Sequence, residues 1–278
     1  MLKKGFEEKL ELENEGQLSI FFAGTGSAFS KSNFQTNLIV IKGKDHVLVD
    51  CGTTFTYALE NQYKTQVSSI KTVFITHPHA DHIGSLEEIA LIGRYVSKTK
   101  PSLIITDAFK KKLWKESLKG GLYYSEEGKL GFDDYFNQIK PVLIYKKPYE
   151  VYEVNVGSIN LKIIRTRHIT TKPDSLKDSQ ISYGLIIDNR IFFTGDTQFN
   201  PEQLQWICSN FKLEQIFADC DVSGYAEGVH ESYQQLMTLD SELKKNMYLC
   251  HYNGMAAKKD AVADGFAGFA EAGKYYIY

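Results

Sequence analysis

The feature that most constrains this chain is the string THPHADHIG at residues 76–84, which places three histidines and an aspartate within six residues. It follows an apolar run, Thr72–Thr76, that predicts a buried strand, and it precedes a helix-period pattern over Ile83–Val96. An apolar strand delivers the string to the edge of a sheet. The string is therefore better explained as part of a ligand site than as a surface cluster of histidines.

The spacing inside this string suits two metal ions. His77 and His79 are two residues apart in an extended chain, so their side chains project to the same side and can bind one ion. Asp81 and His82 come next, where the chain turns into the helix, and can face a second ion. Nitrogen-rich ligands with added carboxylates favour zinc, with manganese or iron as alternatives. The sequence therefore predicts two Zn²⁺ per chain.

The remaining ligands are expected at the ends of other strands, because sites with two metal ions are assembled from distant chain segments. Four polar residues stand at such positions: Asp50, His168, Asp196 and His251. Each of them alone is an ordinary polar residue that closes a strand. In this order, and together with the string at 76–84, they predict a ligand set.

Composition argues against several classes of function. Lys and Arg number 32 against 34 Asp and Glu, so the formal net charge of −2 lacks the basic excess of a generic nucleic-acid binder. No apolar window approaches the length of a membrane span, and the first residues lack the apolar run of a secretion signal. The four cysteines have no C-x-x-C spacing and are typical of reduced thiols. We therefore expect a cytoplasmic protein that does not span a membrane.

Apolar runs that predict strands are separated by helix-period patterns in both halves of the chain. This alternation predicts an α/β fold with two sheets covered by helices, a four-layer αββα sandwich, as a single domain over residues 1–278. The last helix is predicted over Ala256–Ala272. Residues 107–141 differ, since a basic stretch is followed by aromatic residues among glycines and acids. They form either an amphipathic surface helix with a loop, or a lid or dimer-contact insertion beside the active site.

On these residues, the sequence resembles the metallo-β-lactamase fold superfamily from about Ser19 to about Tyr252. The five signatures of that superfamily can be placed at Asp50, residues 77–82, His168, Asp196 and His251. The resemblance implies one ion held by His77, His79 and His168, a second ion held by Asp81, His82 and His251, and a bridging Asp196. It also implies that Asp50 orients a ligand histidine.

A narrower resemblance is to the tRNase Z-like phosphodiesterases. It rests on FAGTGSA at 22–28, on DCG at 50–52 and on GVHES at 228–232. It implies that His230 donates a proton to the leaving oxygen and acts in catalysis beside Asp81, whereas the alternative for His230 is a surface position at a helix start. With His230 included, six of the seven histidines belong to the site, which leaves His46 for an ordinary structural role.

Charge arithmetic favours an anionic substrate. Two divalent cations bring four positive charges, whereas Asp81, Asp196 and a bridging hydroxide bring three negative ones. The site therefore keeps about one net positive charge, which suits a phosphodiester anion. The ions lower the pKa of their shared water towards about 7. The resulting hydroxide is expected to attack phosphorus while His230 protonates the departing alkoxide.

The size of the substrate follows from a missing segment. True tRNase Z enzymes carry a long arm for the tRNA elbow, usually after the third signature, whereas here only thirteen residues (Ile169 to Ile181) separate His168 from the next predicted strand. Extended nucleic acid is therefore disfavoured, and a small phosphodiester such as a cyclic mononucleotide is the predicted substrate. Some phage-encoded and bacterial members of this branch that degrade cyclic mononucleotide immune signals form homodimers, so the resemblance implies a homodimer.

Three alternatives stay open. The first is a tRNA 3′-processing endonuclease that uses residues 107–141 as a basic arm. The second is a lactone, thioester or β-lactam hydrolase of the same fold, against which the GTGS opening at 24–27 and His230 argue. The third is a non-catalytic metal-binding or scaffold protein, disfavoured because no ligand is lost. Four aromatic side chains either stack a nucleobase or simply pack: Tyr123, Tyr124, Phe132 and Tyr135.

Overall fold

The computed structural model describes residues 1–172, 176, 178–226 and 228–278. The chain divides into two compact units: unit 1 is Met1–Gly24, Phe34–Pro141 and Ala272–Tyr278, and unit 2 is Thr25–Asn33 and Val142–Glu271. Each unit is built around its own sheet, so the predicted mixture of strands and helices is present in both. A single domain over residues 1–278 stays a prediction.

Unit 1 contains, within the described residues, an eight-stranded sheet. In spatial order its strands are Leu2–Gly5, Lys274–Ile277, Ser19–Gly24, Asn37–Lys42, Asp45–Val49, Thr72–Phe74, Ser102–Ile104 and Asn137–Ile139. The first four pairings are antiparallel and the last three are parallel. The parallel part brings the carboxyl ends of Asp45–Val49 and Thr72–Phe74 side by side, directly before the string at 76–84.

The helices of unit 1 are short, and three of them continue into wider π-type turns. Their bounds are Phe55–Tyr57, Ala80–Ile83, Leu86–Leu91, Asp107–Leu113, Lys119–Leu122 and Phe132–Tyr135, with π-type turns at Ala58–Gln62, Ile92–Val96 and Trp114–Leu118 and a 3₁₀ turn at Val67–Ser69. The helix predicted over Ile83–Val96 is therefore present but interrupted at Gly84 and Ser85. Its apolar face is buried at Leu86, Ile89 and Ala90, as the sequence spacing predicts.

Residues 107–141 lie wholly in unit 1 and contribute to its core. The helix Asp107–Leu113 buries Phe109 and Leu113. The segment then forms a small hairpin of Tyr124–Ser125 and Gly128–Lys129 and, further on, the edge strand Asn137–Ile139. Of the four aromatic residues considered for stacking, Phe132 and Tyr135 are buried, whereas Tyr124 is exposed. Packing thus accounts for half of them, and a lid or dimer contact stays a prediction.

Unit 2 also has an eight-stranded sheet in the part of the chain that the structure describes. In spatial order its strands are Val142–Tyr145, Val151–Val156, Ile159–Thr170, Ser179–Ile187, Ile191–Phe193, Gln215–Asp219, Met247–Cys250 and Gly268–Phe269. The first four pairings are antiparallel and the last three are parallel. The segment from Ile169 to Ile181 is the one predicted to be too short for a tRNA arm. Four of its positions, 173–175 and 177, lie outside the described residues.

The helices of unit 2 are Pro201–Asn210, Tyr233–Met237 and Ser241–Lys244, followed by a 3₁₀ turn at Gly254–Lys258. The helix predicted over Ala256–Ala272 is wrong. Gly265 and Gly268 adopt φ values of +90° and +133°, which a right-handed helix excludes, and the chain forms turns and the strand Gly268–Phe269. Among the described residues of both units, no helix is long and apolar enough to cross a bilayer.

Candidate active site

Asp50 closes the strand Asp45–Val49 in a left-handed conformation, with φ +62°. Thr76 donates its backbone N–H to Asp50 Oδ1 at 2.7 Å and its hydroxyl to Oδ2 at 2.8 Å. The same Oδ2 lies 2.8 Å from His82 Nδ1, the contact through which a carboxylate fixes the orientation of a histidine ring. Complete burial raises the pKa of Asp50, and His82 opposes that rise. Asp50 therefore joins the end of one strand to the start of the ligand string.

His77 and His79 present ring nitrogens to each other within unit 1. His77 Nε2 and His79 Nδ1 are 2.9 Å apart, and the other nitrogen of His77 lies 3.0 Å from the Thr76 hydroxyl. The two facing nitrogens lie on the same side of the extended segment, as the spacing of two residues predicts. Such a pair of imidazole nitrogens is a donor set for one metal ion.

Asp81 and His82 lie on the short helix Ala80–Ile83. Asp81 Oδ2 is 3.2 Å from His82 Nε2, while His82 Nδ1 is held by Asp50. Gly52 allows the helix to approach this closely, because a Cβ at this position would lie 2.0 Å from the backbone oxygen of Asp81. Unit 1 thus gathers all five of its predicted site residues: Asp50, His77, His79, Asp81 and His82.

Unit 2 gathers a second group of side chains. Asp196, Asp219, His230 and His251 each offer one ligand atom, and these atoms all lie within 4.8 Å of one another. His251 Nε2 is 3.5 Å from Asp196 Oδ2, and His230 Nδ1 is 3.8 Å from the same oxygen. Three of them lie at the ends of parallel strands: Asp196 after Ile191–Phe193, Asp219 at the end of Gln215–Asp219, and His251 after Met247–Cys250. His230 lies in the loop that follows Gln215–Asp219.

Asp219 was not among the predicted site residues. It is fully buried, and it contacts both histidines of its group: His230 Nδ1 lies 2.7 Å from Oδ2, and His251 Nδ1 lies 3.4 Å from Oδ1. Burial would raise the pKa of Asp219, but the contacts with His230 and His251 together bring the pKa below its ordinary value. The only sequence signal for Asp219 is its position at the end of an apolar run, which it shares with Asp50 and Asp196.

The ring of His230 contacts Asp219 and His251, and the residue also lines a cavity. Its Nδ1 faces Asp219, and its ring stacks on that of His251 with centroids 4.9 Å apart. Burial would lower the pKa of His230, but the Asp219 carboxylate and the nearby Asp196 raise it above its ordinary value. His230 lines this cavity together with His251, and its role as a proton donor stays a prediction.

His168 lies near the end of the long strand Ile159–Thr170, with its ring centroid 5.2 Å from that of His230. Its Nδ1 lies 3.0 Å from the carbonyl oxygen of Val229, which fixes the tautomer that keeps the Nε2 lone pair. Burial lowers the pKa of His168 to about 4, although Asp196 opposes the shift. The ring is therefore neutral at neutral pH, which is the form that binds a metal ion.

Comparison with known proteins identifies the family. The model of the family described as "Anti-Pycsar protein Apyc1" matches residues 18–276 of this chain. The chain belongs to the Apyc1 family. One curated Apyc1 protein, from Paenibacillus sp. (strain J14), is 34% identical over 237 residues, which are 85% of this chain and 89% of that relative.

Solved structures identify the fold. YhfI from Bacillus subtilis, a metallo-β-lactamase fold protein, matches with a TM-score of 0.67 at 13% identity, over 94% of this chain and all of YhfI (100%). The short form of human tRNase Z matches with a TM-score of 0.61 at 16% identity, over 93% of this chain and 98% of that enzyme. At such identities the likeness concerns the fold alone. The predicted fold class, that of the metallo-β-lactamases, is confirmed for this Apyc1 family member.

Proposed function

We propose that this member of the Apyc1 family is a binuclear metal-dependent phosphodiesterase that hydrolyses small cyclic mononucleotides. Its family and fold agree with the phosphodiesterase predicted from the sequence. The observation that carries the proposal is the 2.7 Å contact between His230 Nδ1 and Asp219 Oδ2, beside Asp196 and His251. This contact supplies an oriented proton donor of the kind that a departing alkoxide needs.

The metal ions are proposed to be two Zn²⁺, with Mn²⁺ or Fe as alternatives. The proposed ligands are the seven predicted ones: His77, His79, Asp81, His82, His168, Asp196 and His251. The donor chemistry of each group supports this assignment, because His82 and His168 have their Nδ1 atoms held by Asp50 and by the Val229 carbonyl, which leaves Nε2 as the donor. When bound, such ions supply a water that ionises near neutral pH and positive charge for the phosphate.

The residues of the chain then have distinct tasks in the reaction. Hydrolysis of a cyclic diester adds one water and breaks one P–O ester bond, which leaves a linear monophosphate. The departing alkoxide takes a proton from His230 Nε2, while Asp219 holds the ring through Nδ1 and stabilises the imidazolium before the transfer. The Asp219 carboxylate raises the pKa of His230 above its ordinary value, which favours the protonated ring that a proton donor needs.

We further propose that the protein is a cytoplasmic homodimer. The four cysteines are free within the described residues, and Cys51, Cys220 and Cys250 are buried, which suits a reducing compartment. The strand Val142–Tyr145 lies at the edge of the unit 2 sheet and exposes all four of its side chains. Exposed apolar edge strands are typical places for pairing with another chain, which supports a dimer.

The test is hydrolysis of a substrate panel by the metal-loaded protein. The panel contains 3′,5′-cyclic mononucleotides, bis-p-nitrophenyl phosphate, a precursor tRNA and a lactone. We expect conversion of cyclic mononucleotides to linear monophosphates, with a metal content of about two ions per chain. Cleavage of the tRNA or the lactone without any turnover of cyclic mononucleotides would contradict the proposal.

A further inference from the structure

A cavity of about 280 Å³ lies in unit 2, and its lining includes both His230 and His251. This volume is close to the lower limit of about 300 Å³ for small-molecule sites, so it suits a single nucleotide better than a polymer. Two aromatic residues, Phe29 and Tyr225, also line the cavity, and their exposures of 89% and 91% mean that hardly any protein atoms cover them. Aromatic rings offer large apolar area, so two bare rings around one cavity indicate a ligand that covers them.

We infer that Phe29 and Tyr225 form the base-binding subsite of this enzyme, where a planar nucleobase stacks while its phosphate lies towards His230 and His251. The inference rests on the proposed function and extends it, because it assigns residues to the part of the substrate that does not react. Stacking needs only a flat π surface on the ligand, and every nucleobase has one.

A buried carboxylate, Asp221, anchors the loop that carries Tyr225. Asp221 Oδ1 accepts the backbone N–H of Ser223 at 2.9 Å, and its Oδ2 accepts the N–H of Ala226 at 2.8 Å. Ala226 in turn accepts the backbone N–H of His230 at 3.0 Å. Ala226, the residue after Tyr225, is therefore hydrogen-bonded both to Asp221 and to the backbone of the proposed proton donor.

The loop that carries Phe29 is anchored next to the other histidine. Ser27 donates its N–H to the carbonyl of Tyr252 at 2.9 Å, and Ser30 donates its own N–H to the carbonyl of Ser27 at 2.9 Å. Tyr252 directly follows His251, and its hydroxyl lies 3.0 Å from the Thr25 hydroxyl. The turn at Ser27–Ser30, which carries Phe29, is thus hydrogen-bonded to Tyr252, the residue that directly follows His251.

These anchors explain how two exposed side chains can act as a binding site. A flexible aromatic residue would lose conformational entropy on binding, whereas a residue on a pre-formed turn loses less. Ser223 and Asn253 also line the cavity and provide polar groups beside the rings. The cavity therefore combines apolar faces, a polar margin, the proposed proton donor His230 and the proposed ligand His251, as small-molecule sites do.

The experiment compares two substrates that differ only in the base. One is 3′,5′-cyclic adenosine monophosphate, and the other is the methyl riboside 3′,5′-cyclic phosphate, which has the same ring phosphate and no base. The variants are Phe29→Ala and Tyr225→Ala, with Phe29→Tyr and Tyr225→Phe as versions that keep a ring. Tyr57→Ala, at an exposed tyrosine of unit 1, is the matched control.

We expect each alanine variant to lower kcat/KM for the cyclic nucleotide by about 5- to 150-fold, mainly through KM. The base-free substrate should keep its wild-type kcat/KM, and the ring-keeping variants and Tyr57→Ala should behave as wild type with both substrates. Equal losses on the two substrates, or no loss on either, would overturn the inference. It is also overturned if the alanine variants break up a dimer and slow both substrates together.

Failure of the proposed function is distinguishable from failure of the subsite. If the wild-type protein turns over no cyclic nucleotide, the proposed function fails, and calorimetric titration of the protein with adenosine monophosphate decides the subsite. Weaker binding by Phe29→Ala and Tyr225→Ala than by Tyr57→Ala supports the subsite. Equal affinities of all the proteins overturn it.

Discussion

Replacing Asp219 by asparagine should slow the hydrolysis of a cyclic nucleotide without removing metal ions. The amide keeps the shape of the side chain, but it loses the charge that holds His230 Nδ1 at 2.7 Å in a fully buried position. A hydrogen bond to a charged group is worth about 1.5–3 kcal/mol. Since about 1.4 kcal/mol is a factor of ten in rate, the expected loss in kcat is about 10- to 150-fold.

The assay compares two leaving groups and includes His230→Ala. Removing the donor itself should slow the cyclic nucleotide by about 10²–10⁴-fold, whereas bis-p-nitrophenyl phosphate should be affected far less because nitrophenolate leaves without a proton. Asp219 acts through His230, so the double variant should be no slower than His230→Ala alone. Asp264→Asn is the matched control, since this carboxylate accepts the Tyr233 hydroxyl at 2.6 Å in the same unit.

Two results would refute this reasoning. If Asp219→Asn slowed both diesters equally with its metal content intact, the carboxylate would act on something other than proton donation. If the losses of the two single variants multiplied in the double variant, Asp219 would act independently of His230. The 3.4 Å contact between Asp219 and His251 would then be the first explanation to test, because His251 is a proposed metal ligand. A loss of metal from the double variant would support that explanation.

The remaining predictions concern metal, packing and pH. His79→Ala should lose metal and slow both diesters together, which elemental analysis beside the kinetics would check. Gly52→Ala should lower the free energy of unfolding by about 1–3 kcal/mol, because its Cβ would meet the Asp81 backbone oxygen at 2.0 Å; urea unfolding measures this. Burial, aided by Lys71, lowers the pKa of His46. Protonation therefore favours the unfolded chain, and stability present above about pH 6.5 is lost as the pH falls through the folded-state pKa. His46→Gln should reduce this loss in urea unfolding between about pH 7 and 5, and an unchanged slope would contradict it.

Most of the structure that could be predicted from the sequence was predicted from local patterns of neighbouring residues. The string at 76–84 and the apolar run before it are contiguous, so the strand, the turn and the helix start could be predicted from spacing alone. The helix predicted over Ala256–Ala272 failed because its alanines favour a helix, whereas Gly265 and Gly268 adopt left-handed φ values. Phe266 and Ala270 are still buried there, so the apolar spacing served packing without a helix.

Asp219 shows what local patterns cannot supply. Within unit 2, the parallel register pairs Phe193 with Phe217 and Asp219 with Cys250, so the residues just past these strands leave the sheet at one end. Asp219 therefore lies beside the start of the His251 segment, although the two are far apart in sequence. Register depends on contacts between distant segments, and a strand-closing aspartate has the same appearance in sequence whether or not a histidine arrives beside it. The role of Asp219 follows from the pairing, which is why it became evident only in the structure.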